Sequence, residues 1–323
     1  MEVIEMDSRV EYSLRRATYA EAFLARNNDK EFVFSNCEKC FLMYQVKGGF
    51  IVSIGDPVGP KDAWPSAISN LLIISRMKRK RLILYKVNQS ISILSKHNFF
   101  LEKIGEDAIV DLSEFTISDS SKRGLRRKIN QATKSGIEFK ILCKKEVIDN
   151  YTRLKIISDN WLQSKKIKER GFSVGSMDRD YIVKQRIGII YKNERILGFC
   201  TTHDLICKNE TSLDLMRVVN DAPIGSMHYL IYRMIESSKE LGFLKFNMCM
   251  APLSGLETET KTIFNRLMRM IYDKFDHKHG FKGLRIFKKY YTPTWSPRFA
   301  AAKQKIDVYW GVIRLFNVVR DCK

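Results

Sequence analysis

The chain has 323 residues, about twice the usual single-domain length, and 45% of them are apolar, enough to fill more than one core. Its 56 Lys and Arg against 36 Asp and Glu leave a net charge of +20, more than solubility needs and of the sign that attracts nucleic acid, an anionic membrane, or both. Seven scattered cysteines exclude a disulfide framework and fit a reducing cytoplasm, and the lone Cys37-Glu-Lys-Cys40 reads as two strand-edge thiols. No apolar run reaches the ~18 residues of a membrane span, and the start MEVIEMDSRVEYS lacks the blocks of a signal peptide, so a soluble or peripheral chain is expected.

In chain order, Phe41 to Val46 and Phe50 to Ile54 are β-rich runs joined by the hairpin signal Lys47-Gly48-Gly49. Gly55-Asp-Pro-Val-Gly-Pro60 is expected to stop the sheet, with a helix over Ala63 to Met77 and a strand over Arg81 to Val87 following. The order recurs later: strands near Ile187 to Tyr191 and Ile196 to Thr201, a third strand from Ser212, a helix from about Gly225 to Leu241, and a strand over Leu244 to Cys249. Met227, Leu230, Ile231, Met234 and Ile235 give that helix one apolar face. This repeat predicts two tandem α/β domains rather than one large sheet. The expected units are 1–118, a basic linking helix over 119–136, a second unit over 137–303, and an amphipathic helix over 304–323.

The linking segment is the clearest basic feature. On a helix Arg123, Arg126, Arg127, Asn130 and Lys134 share one face, with Leu125, Ile129 and Ala132 turned inward. Such a row, together with Lys122, suits a phosphate backbone, whereas a merely solvated helix mixes signs. At the other end, Val308 to Val319 is rich in aromatic and aliphatic residues, which suits either a membrane interface or packing on its own domain.

The run Asp214-Leu-Met-Arg217 places two opposite charges in an otherwise apolar strand, where charge is costly unless paired or used. Three residues apart, the two point to opposite faces of a regular strand, and a β-bulge between them would bring both to one cleft. Around this run stand Ala222-Pro-Ile-Gly225, Phe246-Asn-Met-Cys-Met-Ala-Pro-Leu-Ser-Gly-Leu-Glu257, Gly283-Leu-Arg-Ile-Phe-Lys288 and Pro293-Thr-Trp-Ser-Pro-Arg298. With Gly55 to Pro60, Arg126 to Asn130, Ser158-Asp-Asn-Trp-Leu162 and Phe172-Ser-Val-Gly175, these motifs closely resemble, in order and over nearly the whole chain, the catalytic region of the bacterial aminoacyl-phosphatidylglycerol synthases, the multiple peptide resistance factor family.

The resemblance implies a tandem pair of GNAT-type acyltransferase folds that moves an amino acid, lysine or alanine, from aminoacyl-tRNA to a hydroxyl of phosphatidylglycerol. It implies Asp214, Arg217 and Lys288 as catalytic residues, and Tyr181, Ser254, Glu257 and Arg285 as substrate-binding residues. Lys122, Arg123, Arg126, Arg127 and Lys134 are then the expected tRNA contacts, and anionic phospholipid at the inner face of the cell membrane the expected surface. Family members usually carry a membrane-embedded part besides this region, so the chain is either an excised catalytic part or a shorter relative. The pattern departs from the family at Tyr290, where a second Lys is expected.

Exchanging one ester for another requires no ATP, redox cofactor or metal. It requires two anionic substrates to be positioned, a hydroxyl deprotonated and an oxyanion stabilised. Asp214 is either the proton acceptor or an orienting group. The segment Val218 to Gly225 has a Pro and one Gly, unlike a coenzyme A loop, while the helix start at Ser226 is expected to receive an anionic group. His228, His277 and His279 form no metal-ligand constellation. Two other readings share these surfaces: transfer to a non-lipid acceptor, and a non-catalytic tRNA- or membrane-binding module.

Overall fold

The hairpin expected at Gly48-Gly49 is present in the computed structural model, which describes residues 7–169, 171–255 and 281–318. Gly48 takes φ 56°, a left-handed conformation that glycine adopts without a Cβ penalty. Before it come α1 (Ser8–Leu14), a 3-10 turn (Ala20–Arg26) and β1 (Glu31–Phe34); the hairpin strands are β2 (Phe41–Lys47) and β3 (Phe50–Val58). Then follow α2 (Trp64–Met77), β4 (Arg81–Val87), α3 (Ile91–Lys96), β5 (Phe100–Asp111), α4 (Arg123–Lys134), β6 (Glu138–Leu142), α5 (Lys144–Ser164) and α6 (Arg179–Ile182). The remainder is β7 (Arg186–Lys192), β8 (Arg195–Asp204), β9 (Glu210–Val218), α7 (Ser226–Glu240), β10 (Lys245–Pro252), α8 (Phe281–Lys289), β11 (Thr294–Ala302) and α9 (Lys305–Val318).

Among the described residues eleven strands form one continuous sheet in the order β1-β2-β3-β4-β11-β5-β10-β9-β8-β7-β6. The expectation of two separate domains is therefore corrected to a single mixed α/β domain. The repeat is nevertheless real: if β1–β4 are matched to β7–β10 and β5 to β11, the order reads the same from either edge, with β6 added at one end. Each half gives its last strand to the other. β11 pairs with β4 and β5, and β5 pairs with β10, so no cut near residue 118 divides the sheet.

Helices cover both faces. The long apolar sides of α2, over one half, and of α4 with α7, over the other, lie against one face. The opposite face is a continuous core under α1, the 3-10 turn, α5, α6 and α9. Leu125, Ile129 and Ala132 of α4 are buried as their spacing predicts. Each fully buried Leu or Ile stabilises by about 1.5–3 kcal/mol, which fixes the basic helix with its charges outward. No described helix is long and apolar enough to cross a membrane.

In both halves two parallel strands joined by a helical crossover pair and then part. β3 and β4 pair from Phe50/Arg81 to Ile54/Tyr85, and β9 and β10 pair from Glu210/Lys245 to Ser212/Asn247. Register shifts interrupt β4 and β10 at matching places, where Lys86 and Cys249 each have φ 62°. The gap in the first half is filled. β3 does not stop at Gly55 but runs on to Val58, and buried Asp56 accepts hydrogen bonds from the backbone N–H groups of Asn88, Gln89 and Ser90 and from the Ser90 hydroxyl at 2.6–3.2 Å. The gap between β9 and β10 is where the chemistry-bearing residues gather.

Candidate active site

β9 carries the expected bulge. Its pairing with β8 jumps from Thr202–Leu213 to Cys200–Met216, which leaves two residues on β9, Asp214 and Leu215, against one on β8, Thr201. The surplus residue turns Asp214 and Leu215 to the same side, so Leu213, Met216 and Val218 pack with the α7 core while Leu215 joins the core of the opposite face. Asp214 and Arg217 thus share the face covered by α5 and α6. The Leu215 N–H, displaced from the ladder, donates to the Thr201 hydroxyl at 3.1 Å.

Asp214 is held from several directions. Oδ1 accepts from the Gly175 N–H at 2.7 Å, and Oδ2 accepts from the Tyr181 hydroxyl and from Gln185 Nε2, both at 2.8 Å. His203 Nε2 lies 3.6 Å from Oδ2 and 2.9 Å from the Tyr181 oxygen, and the side chains of Asp214 and His203 are 3% and 5% exposed. Burial, reinforced by the Asp214 charge, pushes the Tyr181 phenol well above its usual range; burial pushes His203 down against the opposing pull of Asp214. Both stay neutral near pH 7.

The loop bearing Gly175 is tied to the first thirty residues. Ser176 Oγ donates to Asn27 Oδ1 at 2.9 Å, the Phe172 N–H donates to Asp29, and the Phe23 ring stacks on His203 with centroids 6.2 Å apart. The start of the chain's first half thereby helps build the site of the second.

Arg217 lies flat on Trp161 of α5, its guanidinium carbon 4.1 Å from the ring centroid, and donates to the Met216 carbonyl at 2.9 Å. Trp161 also lines a shallow cleft with Asn160, Val219 and Asn220 at the exit of β9. Lys288, 2% exposed, donates from Nζ to the carbonyls of Cys249 and Met250 at 2.7 and 3.0 Å, bracing the bulge in β10. Burial pushes its ammonium down to about 8. The Cys249 thiol in turn donates to the Leu213 carbonyl at 2.7 Å, so Lys288 reaches the residue before Asp214 through one intermediate.

Ser254 and Arg285 meet elsewhere, at Glu106 of β5: the Ser254 hydroxyl donates to Glu106 Oε2 at 2.8 Å, and Arg285 Nη2 lies 3.8 Å from the same oxygen. Burial opposes the Glu106 charge, but the bonds from Lys103 and Ser254 outweigh it and hold the carboxyl below its usual range. Glu257, His277 and His279 lie outside the described residues. Sequence reasoning missed Gln185, His203 and Glu106. His203 lies near the end of the apolar strand β8 and Gln185 follows a short helix, with no local pattern to mark either.

α4 packs against α7, on the face of the sheet opposite Asp214. Gly225, with φ 91°, sits so close to α4 that a Cβ would lie 2.1 Å from the Lys128 carbonyl oxygen, and Ser226 is 3% exposed. The start of α7, expected to receive an anion, is thus covered by backbone. Near it His228 stacks on Phe287, with Tyr290 edge-on and the Tyr291 hydroxyl 3.2 Å from Nδ1. Burial in this aromatic box, with Lys128 nearby, pushes the imidazole down to about 4.

The outer face of α4 exposes Arg123, Arg127 and Lys134, which with Arg126, Asn130 and Gln131 line a shallow depression. Two of the five expected phosphate contacts are otherwise engaged. Lys122 is 5% exposed, 3.5 Å from Asp119, and Arg126 donates to the carbonyls of Ile117 and Asp119. Among the described residues no group of His, Cys, Asp and Glu is placed to hold a metal ion.

Residues 10–302 match the family described as phosphatidylglycerol lysyltransferase, C-terminal. A phosphatidylglycerol lysyltransferase of Staphylococcus epidermidis is 30% identical over 301 residues, covering 92% of this chain and 36% of that protein, so the chain spans about a third of the length of such relatives. Among solved structures, L-PGS of Bacillus licheniformis is 29% identical with a TM-score of 0.84, over 99% of this chain and 100% of that one. A DUF2156 C-terminal domain from Agrobacterium fabrum has the same identity and TM-score, over 94% and 95%.

Proposed function

The chain belongs to the phosphatidylglycerol lysyltransferase C-terminal family, and from that premise we propose that it transfers an aminoacyl group, lysyl or alanyl, from aminoacyl-tRNA to a hydroxyl of phosphatidylglycerol. In this reaction the acyl carbon leaves the ribose oxygen of the tRNA for the glycerol oxygen of the lipid, and the glycerol proton ends on the ribose oxygen. The observation that carries the reading is the Asp214 constellation where two parallel strands part, in a chain that also presents an exposed basic helix face.

A carboxylate offers about four acceptor positions, and Gly175, Tyr181 and Gln185 occupy three. The fourth suits an incoming hydroxyl or ammonium. Gln185 Oε1, buried and without a partner among the described residues, adds a second acceptor suited to the ammonium of the aminoacyl group. These features favour Asp214 as the group that orients the reacting parts. Arg217, stacked on Trp161, supplies positive charge on the same face, suited to a phosphate or a developing oxyanion. Arg123, Arg127 and Lys134 form the proposed tRNA contact. Peripheral contact with an anionic membrane follows from the acceptor and from the net charge of +20.

The test is incubation of the protein with radiolabelled lysyl- and alanyl-tRNA and phosphatidylglycerol vesicles. Label in the lipid fraction is the expected result, and the labelled amino acid identifies the donor. Label on a non-lipid acceptor would overturn the lipid assignment, and retention of tRNA without turnover would overturn the enzymatic one.

A further inference from the structure

We infer that His203 is a positioning residue for Asp214 that acts through the Tyr181 hydroxyl. The inference rests on the reading of Asp214 as the centre of transfer.

The argument is one of counting protons. Tyr181 has a single hydroxyl proton, and it is directed to Asp214 Oδ2 at 2.8 Å. The contact of 2.9 Å between the same oxygen and His203 Nε2 is then a hydrogen bond only if the imidazole is the donor. A neutral histidine has one N–H, so that proton sits on Nε2 and leaves Nδ1 as acceptor. Among the described residues the donor near Nδ1 is Gln185 Nε2, 3.4 Å from both ring nitrogens, whose main bond is to Asp214. The burial that keeps His203 neutral agrees with this assignment.

The resulting chain has one direction: His203 Nε2–H to Tyr181 Oη, and Tyr181 O–H to Asp214 Oδ2. Without the imidazole donor the phenol is free to rotate its hydrogen away from the carboxylate. With it, the oxygen already accepts one bond, and its proton has one buried acceptor left. The ring of Phe23 on His203 and the burial of Tyr181 to 1% exposure hold both rings in place. A histidine used only for packing would not need its Nε2 on a hydroxyl that itself serves the carboxylate.

Steady-state transfer from aminoacyl-tRNA to phosphatidylglycerol vesicles by Asp214→Asn, Tyr181→Phe, His203→Leu, His203→Gln and the double variant Tyr181→Phe/His203→Leu tests this, with melting curves on each. Losing a hydrogen bond to a charged group predicts a kcat about ten- to hundredfold lower in Tyr181→Phe and His203→Leu, with KM within about twofold. In the double variant kcat falls no further than in Tyr181→Phe, because the hydroxyl through which His203 acts is gone. His203→Gln, whose amide N–H replaces Nε2–H, recovers most of the activity.

Multiplicative losses in the double variant would overturn the inference. So would a folded His203→Gln with kcat as low as Tyr181→Phe, a result that stands even if His203→Leu does not fold. Full activity in Asp214→Asn would overturn the parent reading and the inference with it. An inactive Asp214→Asn beside a fully active Tyr181→Phe would overturn the inference alone.

Discussion

Gly175 and Asp214 are packed so closely that one added methyl would collide with the carboxylate: a Cβ on Gly175 would lie 2.1 Å from Asp214 Oδ2 and 2.5 Å from the Tyr181 ring. Glycine is required here for space, since its N–H must reach Oδ1 at 2.7 Å. Gly175→Ala should therefore displace the loop or the carboxylate. The expected outcome is a loss of about a hundredfold in transfer rate, the usual effect of an ångström of misplacement, with about 1–3 kcal/mol lost in urea unfolding. Normal turnover in this variant would mean that Asp214 is not at the reacting centre.

Lys288 gives a prediction in pH. Its buried ammonium releases its proton at about 8 in the fold, below the ordinary 10.5 of the unfolded chain. Between those values the unfolded chain holds more protons, so this group's contribution to stability rises with pH through the window. Below pH 8 both states are protonated and the contribution is flat at its least favourable value. Comparing wild type with Lys288→Met by urea unfolding, the wild type should gain up to about 3 kcal/mol on the variant between pH 8 and 10.5. A pH-independent difference would show that the amine titrates normally.

The basic helix divides into two kinds of arginine. Arg127 is exposed, so Arg127→Glu should weaken tRNA binding, lower the slope of log affinity against log salt by about 1 or more, and leave the melting temperature unchanged. Arg126 holds the carbonyls of Ile117 and Asp119, so Arg126→Ala should cost about 1–3 kcal/mol of stability. Equal effects of the two on binding and on melting would mean that the face is not differentiated in this way.

For the terminal helix the structure separates core from surface. Val308 and Val312 of α9 are fully buried, and a Cβ on Gly311 would lie 2.3 Å from Ile83 Cδ1, whereas Trp310 is 53% exposed. Val312→Ser should lower stability by about 2 kcal/mol or more. Trp310→Ser should leave melting unchanged, and its effect on co-sedimentation with anionic vesicles reads out membrane contact directly. Phe316, in the same helix, has a side chain outside those described.

The local elements were legible because hydrophobic period and turn chemistry are written in neighbouring residues. The strands around Gly48-Gly49, the β9 charges and the α7 stripe are of this kind. The bulge in β9 was legible as well, because two charges three apart in a buried strand have few other solutions. What stayed hidden depends on distant partners. β5 and β11 contain Lys103, Glu106, Asp107 and Arg298, which break the apolar pattern of a central strand, and only their pairing, Asp107 with Arg298 at 2.8 Å and Glu106 with Lys103 at 2.9 Å, makes them tolerable there. His203 and Gln185 gain meaning only from a carboxylate on another strand. Asp56 and Asp214 lie beside equivalent strand gaps, and nothing local says that one caps a turn while the other faces the site.

The exchange of strands between the halves also sets an order of events for a chain leaving the ribosome. The slot between β4 and β5 is filled by residues 294–302, so when the first two hundred residues have emerged the middle of the sheet still has two open edges. Those edges expose unpaired backbone until residues 294–302 have emerged. Productive folding of the central strands thus waits for β11, with long-range closures of a kind that are slow and open to aggregation. A nascent-chain series arrested before residue 294 should stay protease-sensitive in both halves, and the two halves made as separate polypeptides should gain resistance only when mixed.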